Sequence, residues 1–278
     1  MKREYWTIVI CGVLCLAGTV QAATEAQKQA AIDQGLEYLA QAQQGDGRWL
    51  YSGWDSEDTA ATGAALLAFL EEDYTPGADV IFGATHYGDV VGRGLSYVLS
   101  QGQSYGISPQ PAGNPDTNGN GIGVKFVRGG DSYRDTYVTG LALAPVAKVA
   151  ASNPGGSSGH DFDGVGGNDT YQQVVQDTVD YFAHGQNDGG YARGGWRYYA
   201  NSGDADNSTS QWPTVGMLYA QAAGAVVPGF VRDEFRYWVD TIQNPEAVRT
   251  TTAHGAAMSP VPGRGFCRPI SSARIRRG

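Results

Sequence analysis

Four segments of the chain share one apolar pattern, and this repeat constrains the fold more than any other feature. Each segment has an apolar pair, a third apolar residue four positions later, and then a tyrosine followed by another apolar residue. The four tyrosines are Tyr38, Tyr97, Tyr181 and Tyr237. In the first segment Ile32, Leu36 and Leu39 fall on one helical stripe. The pattern therefore predicts four amphipathic outer helices.

A second type of apolar segment alternates with the first. These segments begin at Asp58, Asp135 and Ser210, which are predicted N-caps, and Pro213 falls in a first turn, where proline is tolerated. They are rich in alanine and glycine and apolar nearly all round, which predicts buried inner helices. A hairpin of this kind needs neighbours to bury its apolar face. The sequence predicts an all-α fold of repeated outer–inner hairpins, separated by loop inserts at 73–89, 102–134 and 151–169.

Two junctions between these segments carry a recognisable motif. The first reads Gln43-Gln-Gly-Asp-Gly-Arg-Trp49, and the third unit has Gln186-Asn-Asp-Gly-Gly-Tyr191 followed by Gly194-Gly-Trp196. They resemble the QW repeats of squalene-hopene cyclases and related α/α-toroid proteins, a group that includes protein prenyltransferases. The resemblance covers residues 27 to about 245 and implies an α/α toroid, in which the glutamine caps the outer helix and stacks with the aromatic residue. It implies little about function, because one fold hosts many activities.

The two ends of the chain differ from the repeat region. Lys2 and Arg3, the apolar run from Ile8 to Val20 and the small residues around Ala22 predict a signal peptide over 1–22. This predicts export to the periplasm or the extracellular space, without a transmembrane anchor after cleavage. The repeat domain is predicted over 23–246. Residues 247–278 contain six arginines and no acid, which predicts a poorly ordered tail or a changed reading frame that leaves the toroid incomplete.

Composition excludes several classes of partner and cofactor. The formal net charge of −9 argues against nucleic acid or an anionic membrane surface as the partner. No cysteine lies between Cys15 and Cys267, which argues against a disulfide framework and against the zinc set of protein prenyltransferases. We predict no cofactor and assign no metal site.

The segment Asp204-Ala-Asp206-Asn207 is the strongest candidate for chemistry. It resembles the Asp-x-Asp-Asp motif of squalene-hopene cyclases, although Asn207 stands where that family has a carboxylate. The resemblance implies that Asp206 donates a proton, and that Asp204 raises its pKa by repulsion between like charges. The alternative is that this polar run caps the inner helix that follows it.

Aromatic residues gather near the glycine-rich loops. Trp54, Trp196, Tyr198 and Trp212 are predicted to line the mouth of a ring and to bind an apolar or aromatic-stacking small molecule. A polyprenyl chain, a carbocation or a sugar would each suit such a mouth. The alternative is that these rings pack the junctions between repeats.

Two loops are rich in oxygen-bearing side chains. Asp116-Thr-Asn-Gly-Asn-Gly121 matches the start of a calcium loop, but Val127 stands where the final acid belongs, so an Asn-Gly turn is predicted instead. His160-Asp-Phe-Asp163 with Asn168 and Asp169 is a second oxygen cluster.

Three functions stay open from the sequence. The first is a squalene-cyclase-like or prenyltransferase-like toroid that binds or acts on a terpenoid or polyprenyl ligand. The second is a non-catalytic binding or scaffold protein of the cell envelope. The third is a glycan-active enzyme with two facing acids, for which the candidates are Asp55, Glu57, Asp58 and Asp206.

Overall fold

The computed structural model describes residues 22–51, 57–77, 81–82, 85–127 and 134–243. Within these ranges the chain is mostly helical, as predicted. The helices are α1 (Glu25–Ala42), α2 (Asp58–Glu71), α3 (Tyr87–Ser100), α4 (Asp135–Ser152), α5 (Tyr171–Gly185), α6 (Asn207–Ala222) and α7 (Gly229–Gln243). None of these described helices combines the length and the apolar character needed to cross a membrane. The predicted signal peptide, apart from Ala22, and the arginine-rich tail lie outside the described residues.

The four tyrosine-bearing segments are α1, α3, α5 and α7, and the three alanine- and glycine-rich segments are α2, α4 and α6. We call α2, α4 and α6 the central helices, because α4 packs between α2 and α6. The fourth predicted inner segment, near 250–258, lies outside the described residues. The alternation of the two helix types is therefore confirmed as secondary structure over residues 25–243.

Two short antiparallel hairpins interrupt the helices. Strands β1 (Ile81–Phe82) and β2 (Thr85–His86) form the first hairpin, and β3 (Gly102–Gly106) and β4 (Ile122–Phe126) form the second. The sequence analysis treated both regions as loop inserts. The second hairpin exists because β4 is covered by α5 and α4, which buries Val124 and Phe126 completely.

The central helices approach one another closely at two glycines. A Cβ on Gly63 of α2 would lie 2.6 Å from the carbonyl oxygen of Leu141, and one on Gly140 of α4 would lie 2.5 Å from the carbonyl carbon of Trp212. Larger residues would therefore force these helices apart. Further along, Glu71 accepts hydrogen bonds from Lys148 Nζ at 3.2 Å and from Tyr219 Oη at 2.9 Å. One carboxylate thus joins the C-terminal ends of all three central helices.

A glutamine side chain bridges each of two junctions in the same way. Gln43 Nε2 donates to the carbonyl oxygens of Gly47 and Val90, both at 2.9 Å. Gln186 Nε2 donates to the carbonyl oxygens of Gly194 at 2.8 Å and Val231 at 3.0 Å. Each amide ties its own junction loop to the next tyrosine-bearing helix.

The tryptophan of each junction, rather than the glutamine, bonds the end of the preceding tyrosine-bearing helix. Trp49 Nε1 donates to the carbonyl oxygen of Leu39 at 2.7 Å, and Trp196 Nε1 donates to that of Phe182 at 3.0 Å. Each indole N–H thus bonds a carbonyl group in the last turn of the helix, where Phe182 O also accepts from Gln186 N at 3.1 Å. The capping role that the resemblance implied for the glutamine is therefore wrong in these two junctions, because the tryptophan bonds the end of the helix and the glutamine side chain bonds the junction loop and the next tyrosine-bearing helix.

A hydroxyl in the first turns of each central helix accepts a backbone hydrogen bond from the junction before it. Thr62 accepts from Trp49 N at 2.9 Å, Thr139 from Phe126 N at 2.9 Å, and Ser210 from Trp196 N at 3.0 Å. The predicted N-cap role of Ser210 is therefore wrong, because α6 begins at Asn207 and Asp206 is its N-cap.

The three hydroxyls also align the central helices. Asp58, Asp135 and Asp206 each precede their hydroxyl by four residues, so they occupy equivalent positions. Asp58 and Asp135 are first helical residues rather than N-caps, since α2 and α4 are preceded by Glu57 and Arg134.

Candidate functional site

A cleft of about 500 Å³ lies between the N-terminal halves of the central helices. Its volume falls within the range of small-molecule sites. The lining combines small, aromatic and hydrogen-bonding side chains: Tyr51, Glu57, Ala60, Ala61, Ala64, Arg134, Tyr137, Leu141, Tyr198, Ser208, Gln211 and Trp212.

The repeat determines which residues of each helix reach the cleft. The residues two positions after the equivalent aspartates are Ala60 in α2, Tyr137 in α4 and Ser208 in α6. The residues six positions after them are Ala64, Leu141 and Trp212. All six line the cleft. The part of the lining that α2 contributes therefore consists of small side chains. The parts that α4 and α6 contribute each contain an aromatic ring, Tyr137 and Trp212.

Two tyrosines from the junction loops complete the aromatic lining. Tyr51 follows Trp49 by two residues, and Tyr198 follows Trp196 by two residues. The backbone N–H of Tyr51 donates to Asp58 Oδ1 at 2.9 Å, and the carbonyl oxygen of Tyr198 accepts from the backbone N–H of Thr136 at 3.0 Å. These bonds position both tyrosines beside the start of a central helix.

The aromatic rings are in contact with one another and with arginine. Tyr137 and Trp212 meet edge to face, with ring centroids 5.7 Å apart and planes at 75°. The ring of Tyr198 lies 5.4 Å from Arg134 Cζ and 4.4 Å from Arg197 Cζ. Aromatic–aromatic and cation–π contacts of this kind restrict the rings, so the cleft presents preformed flat surfaces.

An ion pair lies in the wall of the cleft. Arg134 Nη1 is 3.4 Å from Glu57 Oε1. The two side chains immediately precede α4 and α2, so the pair connects the N-terminal ends of two central helices. Burial raises the pKa of Tyr137, and the charges of Glu57 and Tyr51 add to the rise, while the positive charge of Arg134 opposes it. The Tyr137 hydroxyl therefore stays protonated at neutral pH and can both donate and accept.

The two predicted catalytic aspartates do not line the cleft. Asp206 Oδ1 accepts hydrogen bonds from Thr209 N at 2.7 Å and Ser208 Oγ at 2.8 Å, and its other oxygen is ion-paired with Arg197. Asp204 is exposed, with its Oδ2 3.4 Å from Arg197 Nε. These are the contacts expected from the helix-capping alternative.

The four predicted ligand-binding aromatics have different positions. Tyr198 and Trp212 line the cleft. Trp196 is 1% exposed and packs the junction between α5 and α6, while Trp54 lies outside the described residues. Sequence reasoning did not single out Tyr137, Arg134 or Gln211. An alignment of the three central helices on their aspartates would have found Tyr137, because it matches Ala60 and Ser208.

Three carboxylates outside the cleft could hold a metal ion. Carboxylate oxygens of Asp161, Asp163 and Asp169 lie within 4.8 Å of one another. Asp169 is buried, and its Oδ2 accepts from Phe162 N at 2.6 Å. Burial raises the pKa of Asp169, and repulsion from Asp163 and Asp161 adds to the rise.

The Asp116–Gly121 segment forms a turn that docks on α5. Asp116 accepts backbone hydrogen bonds from Gly119 at 2.7 Å and from Gly121 at 3.0 Å. The turn then donates to two buried carboxylates of α5, from Thr117 N to Asp180 at 2.9 Å and from Asn118 Nδ2 to Asp177 at 2.7 Å. The polar side chains that suggested a calcium loop thus satisfy buried acids instead.

Asp177 should make the stability of the protein fall as the pH rises. Burial raises the pKa of Asp177 to about 6, from 3.8, and the hydrogen bonds from Asn118 and Asn120 only partly offset it. The folded state therefore holds its proton more tightly than the unfolded chain, and the resulting stabilisation is lost as the pH rises through about 6. The free energy of unfolding of Asp177→Asn, taken relative to wild type, should therefore be about 1 kcal/mol higher at pH 7.5 than at pH 5.

Urea denaturation at the two pH values measures this difference. An equal effect of the substitution at both pH values would contradict the prediction. Asp33→Asn, at a partly exposed position of α1, is the control.

Comparison with known proteins adds no assignment. No family model matches the sequence, and no curated protein and no solved structure matches it.

Proposed function

We propose that this protein is an exported α/α-toroid-type protein that binds a small molecule in the cleft between α2, α4 and α6. The toroid is supported by bonds that recur in the two junctions. Gln43 and Gln186 each donate to their own junction loop and to the next tyrosine-bearing helix, and Trp49 and Trp196 each donate to the tyrosine-bearing helix that precedes. A ligand with a flat or apolar face suits this cleft. Terpenoid and polyprenyl molecules and sugars all meet that description.

The observation that carries the proposal is the asymmetry of equivalent positions around the cleft. Where α2 has Ala60 and Ala64, α4 has Tyr137 and Leu141, and α6 has Ser208 and Trp212. Alanines opposite aromatic rings leave a slot that a flat molecule can fill. Repeats that served packing alone would fill this position in each copy, since protein interiors leave few voids.

Binding is better supported than proton transfer by Asp206. Both oxygens of Asp206 are engaged by the start of α6 and by Arg197. Asparagine caps helices about as well as aspartate. Asp206→Asn should therefore preserve both the fold and ligand binding, and loss of binding in a folded Asp206→Asn protein would support the acid role instead.

The proposal predicts that Trp212 contributes to ligand affinity. Geraniol and a pool of neutral hexasaccharides are two suitable probes, and calorimetric titration of the full chain should detect binding of at least one. Trp212→Ala should weaken that binding about 5- to 30-fold, because removal of a stacking ring costs on the order of 1–2 kcal/mol. The control is Tyr38→Ala, which removes a 71% exposed ring on α1 and should leave affinity unchanged. If neither probe binds at millimolar concentration, the proposal is overturned.

A further inference from the structure

The lining of the cleft is too polar for a ligand that is apolar throughout. Glu57, Arg134, Ser208 and Gln211 share the lining with the aromatic rings. A hydrocarbon chain that filled the cleft would remove these polar groups from water without returning hydrogen bonds, which costs free energy for each group. The occupant therefore needs hydrogen-bonding groups along its length as well as a face that stacks.

We infer that the ligand of this cleft is a neutral saccharide, an inference that rests on the proposed binding function. A pyranose ring has an apolar C–H face, which packs on aromatic rings, and an edge of hydroxyl groups, which donate and accept hydrogen bonds. Tyr51, Tyr137, Tyr198 and Trp212 supply the rings. The polar lining supplies partners for the hydroxyl edge.

Those polar partners cover both hydrogen-bonding roles. Glu57 only accepts and Arg134 only donates, whereas Gln211 and the Tyr137 hydroxyl do both. Ser208 Oγ already donates to Asp206 Oδ1, and it can accept. Gln211 Nε2 donates to the carbonyl oxygen of Ser208 at 2.9 Å, which holds its amide at the cleft. A sugar hydroxyl also donates and accepts, so this mixture matches a polyol better than it matches an anion or a cation.

The charges of the cleft favour a neutral ligand. Among the described lining residues Glu57 and Arg134 are the charged side chains, and they pair with each other at 3.4 Å. The described lining therefore carries no net formal charge. An acidic saccharide would need an excess of cations here, since a buried charge is costly unless it is paired.

The described lining favours binding over hydrolysis of the saccharide. Glycoside hydrolysis normally uses two carboxyl groups on opposite sides of the scissile bond. Within the part of the cleft that the structure describes, Glu57 is the only carboxylate. Arg134 holds Glu57 in an ion pair, and in this state the Glu57 carboxylate can accept hydrogen bonds from the hydroxyl groups of a sugar.

Calorimetric titration of the full chain with the neutral sugars cellohexaose, maltohexaose and N-acetylchitohexaose, with the acidic sugar hexagalacturonate and with geraniol tests the inference. At least one neutral saccharide should bind, and Gln211→Ala should weaken its binding at least about 5-fold. The control is Gln41→Ala, since Gln41 lies on the exposed surface of α1 and donates to Glu37. This control should bind like the wild type.

The remaining outcomes separate the two claims. Binding of geraniol without any saccharide would overturn the inference and leave the proposed function standing. Binding of no probe would overturn both. Tighter binding of hexagalacturonate than of every neutral hexasaccharide would overturn the preference for a neutral ligand, and saccharide binding unaffected by both Gln211→Ala and Trp212→Ala would place the sugar outside this cleft.

Discussion

Lys125→Met is expected to lower the free energy of unfolding by about 3–5 kcal/mol, because it leaves a buried carboxylate without its cation. Lys125 Nζ lies 2.6 Å from Asp135 Oδ2, and the two side chains are 12% and 5% exposed. Asp135 Oδ1 accepts no hydrogen bond from the residues that the structure describes. Burial raises the pKa of Asp135, and the hydrogen bond and charge of Lys125 oppose the rise. Without the lysine, burial raises the pKa of Asp135 and only a backbone hydrogen bond opposes the rise.

Urea denaturation at pH 7.5 measures this effect, and the chain offers a matched control. Lys148 pairs with Glu71 at 3.2 Å, but these side chains are 31% and 46% exposed. Lys148→Met should therefore cost at most about 1 kcal/mol, as for other surface pairs. The double variant Lys125→Met with Asp135→Asn should recover part of the loss, since it removes the uncompensated charge. Equal effects of Lys125→Met and Lys148→Met would contradict the prediction.

Gly194→Ala is expected to lower the free energy of unfolding by about 3 kcal/mol. Gly194 has a φ of +83°, where an L side chain costs about 1–2 kcal/mol, and its Cβ would overlap the carbonyl oxygen of Glu234 in α7. Relief of this overlap requires movement of α7 or of the loop, which adds an overpacking cost of about 1–3 kcal/mol. That movement would also disturb the bonds from Gln186 to Gly194 and Val231.

The control for this substitution separates the backbone cost from the steric one. Gly203 has a φ of +75°, but nothing lies within 4 Å of the position that its Cβ would occupy. Gly203→Ala should cost only about 1–2 kcal/mol. Thermal or urea unfolding of both variants gives the comparison. If Gly194→Ala is no more destabilising than Gly203→Ala, then the close contact between this junction and α7 does not contribute to stability.

Much of the helical framework could be predicted from the sequence. The spacing of Leu36 and Leu39, and of the matching residues in three later segments, follows the helical period, and all four segments are helices. The hairpin of β3 and β4 could not be found in this way. Gly102–Gly106 has no alternation of apolar and polar residues. Strand β4 is stabilised by tertiary contacts with α4 and α5, which a local sequence pattern does not show.

The candidate site was predicted only in part. Tyr198 and Trp212 were named because aromatic residues gather near the glycine loops, and both line the cleft. The same reasoning named Trp196, which is buried at a junction, because composition cannot tell a ring that packs from a ring that lines a cavity. Arg134 and Glu57 meet only when α2 and α4 are placed side by side.

The sequence by itself determined the type and order of the helices, because hydrophobic periodicity and capping act over a few residues. It also indicated the alternation of the two helix types, but it matched Ser210 with Asp58 and Asp135. The hydrogen bonds of Thr62, Thr139 and Ser210 show that Asp206 is the equivalent residue. Only the tertiary structure decided what those positions face. The close approach of the central helices at Gly63 and Gly140 brings their N-terminal halves around one cleft, and the ion pair of Asp206 with Arg197 depends on how the junction before α6 folds back on that helix. Both depend on contacts between residues that are separate in sequence, which local patterns do not encode.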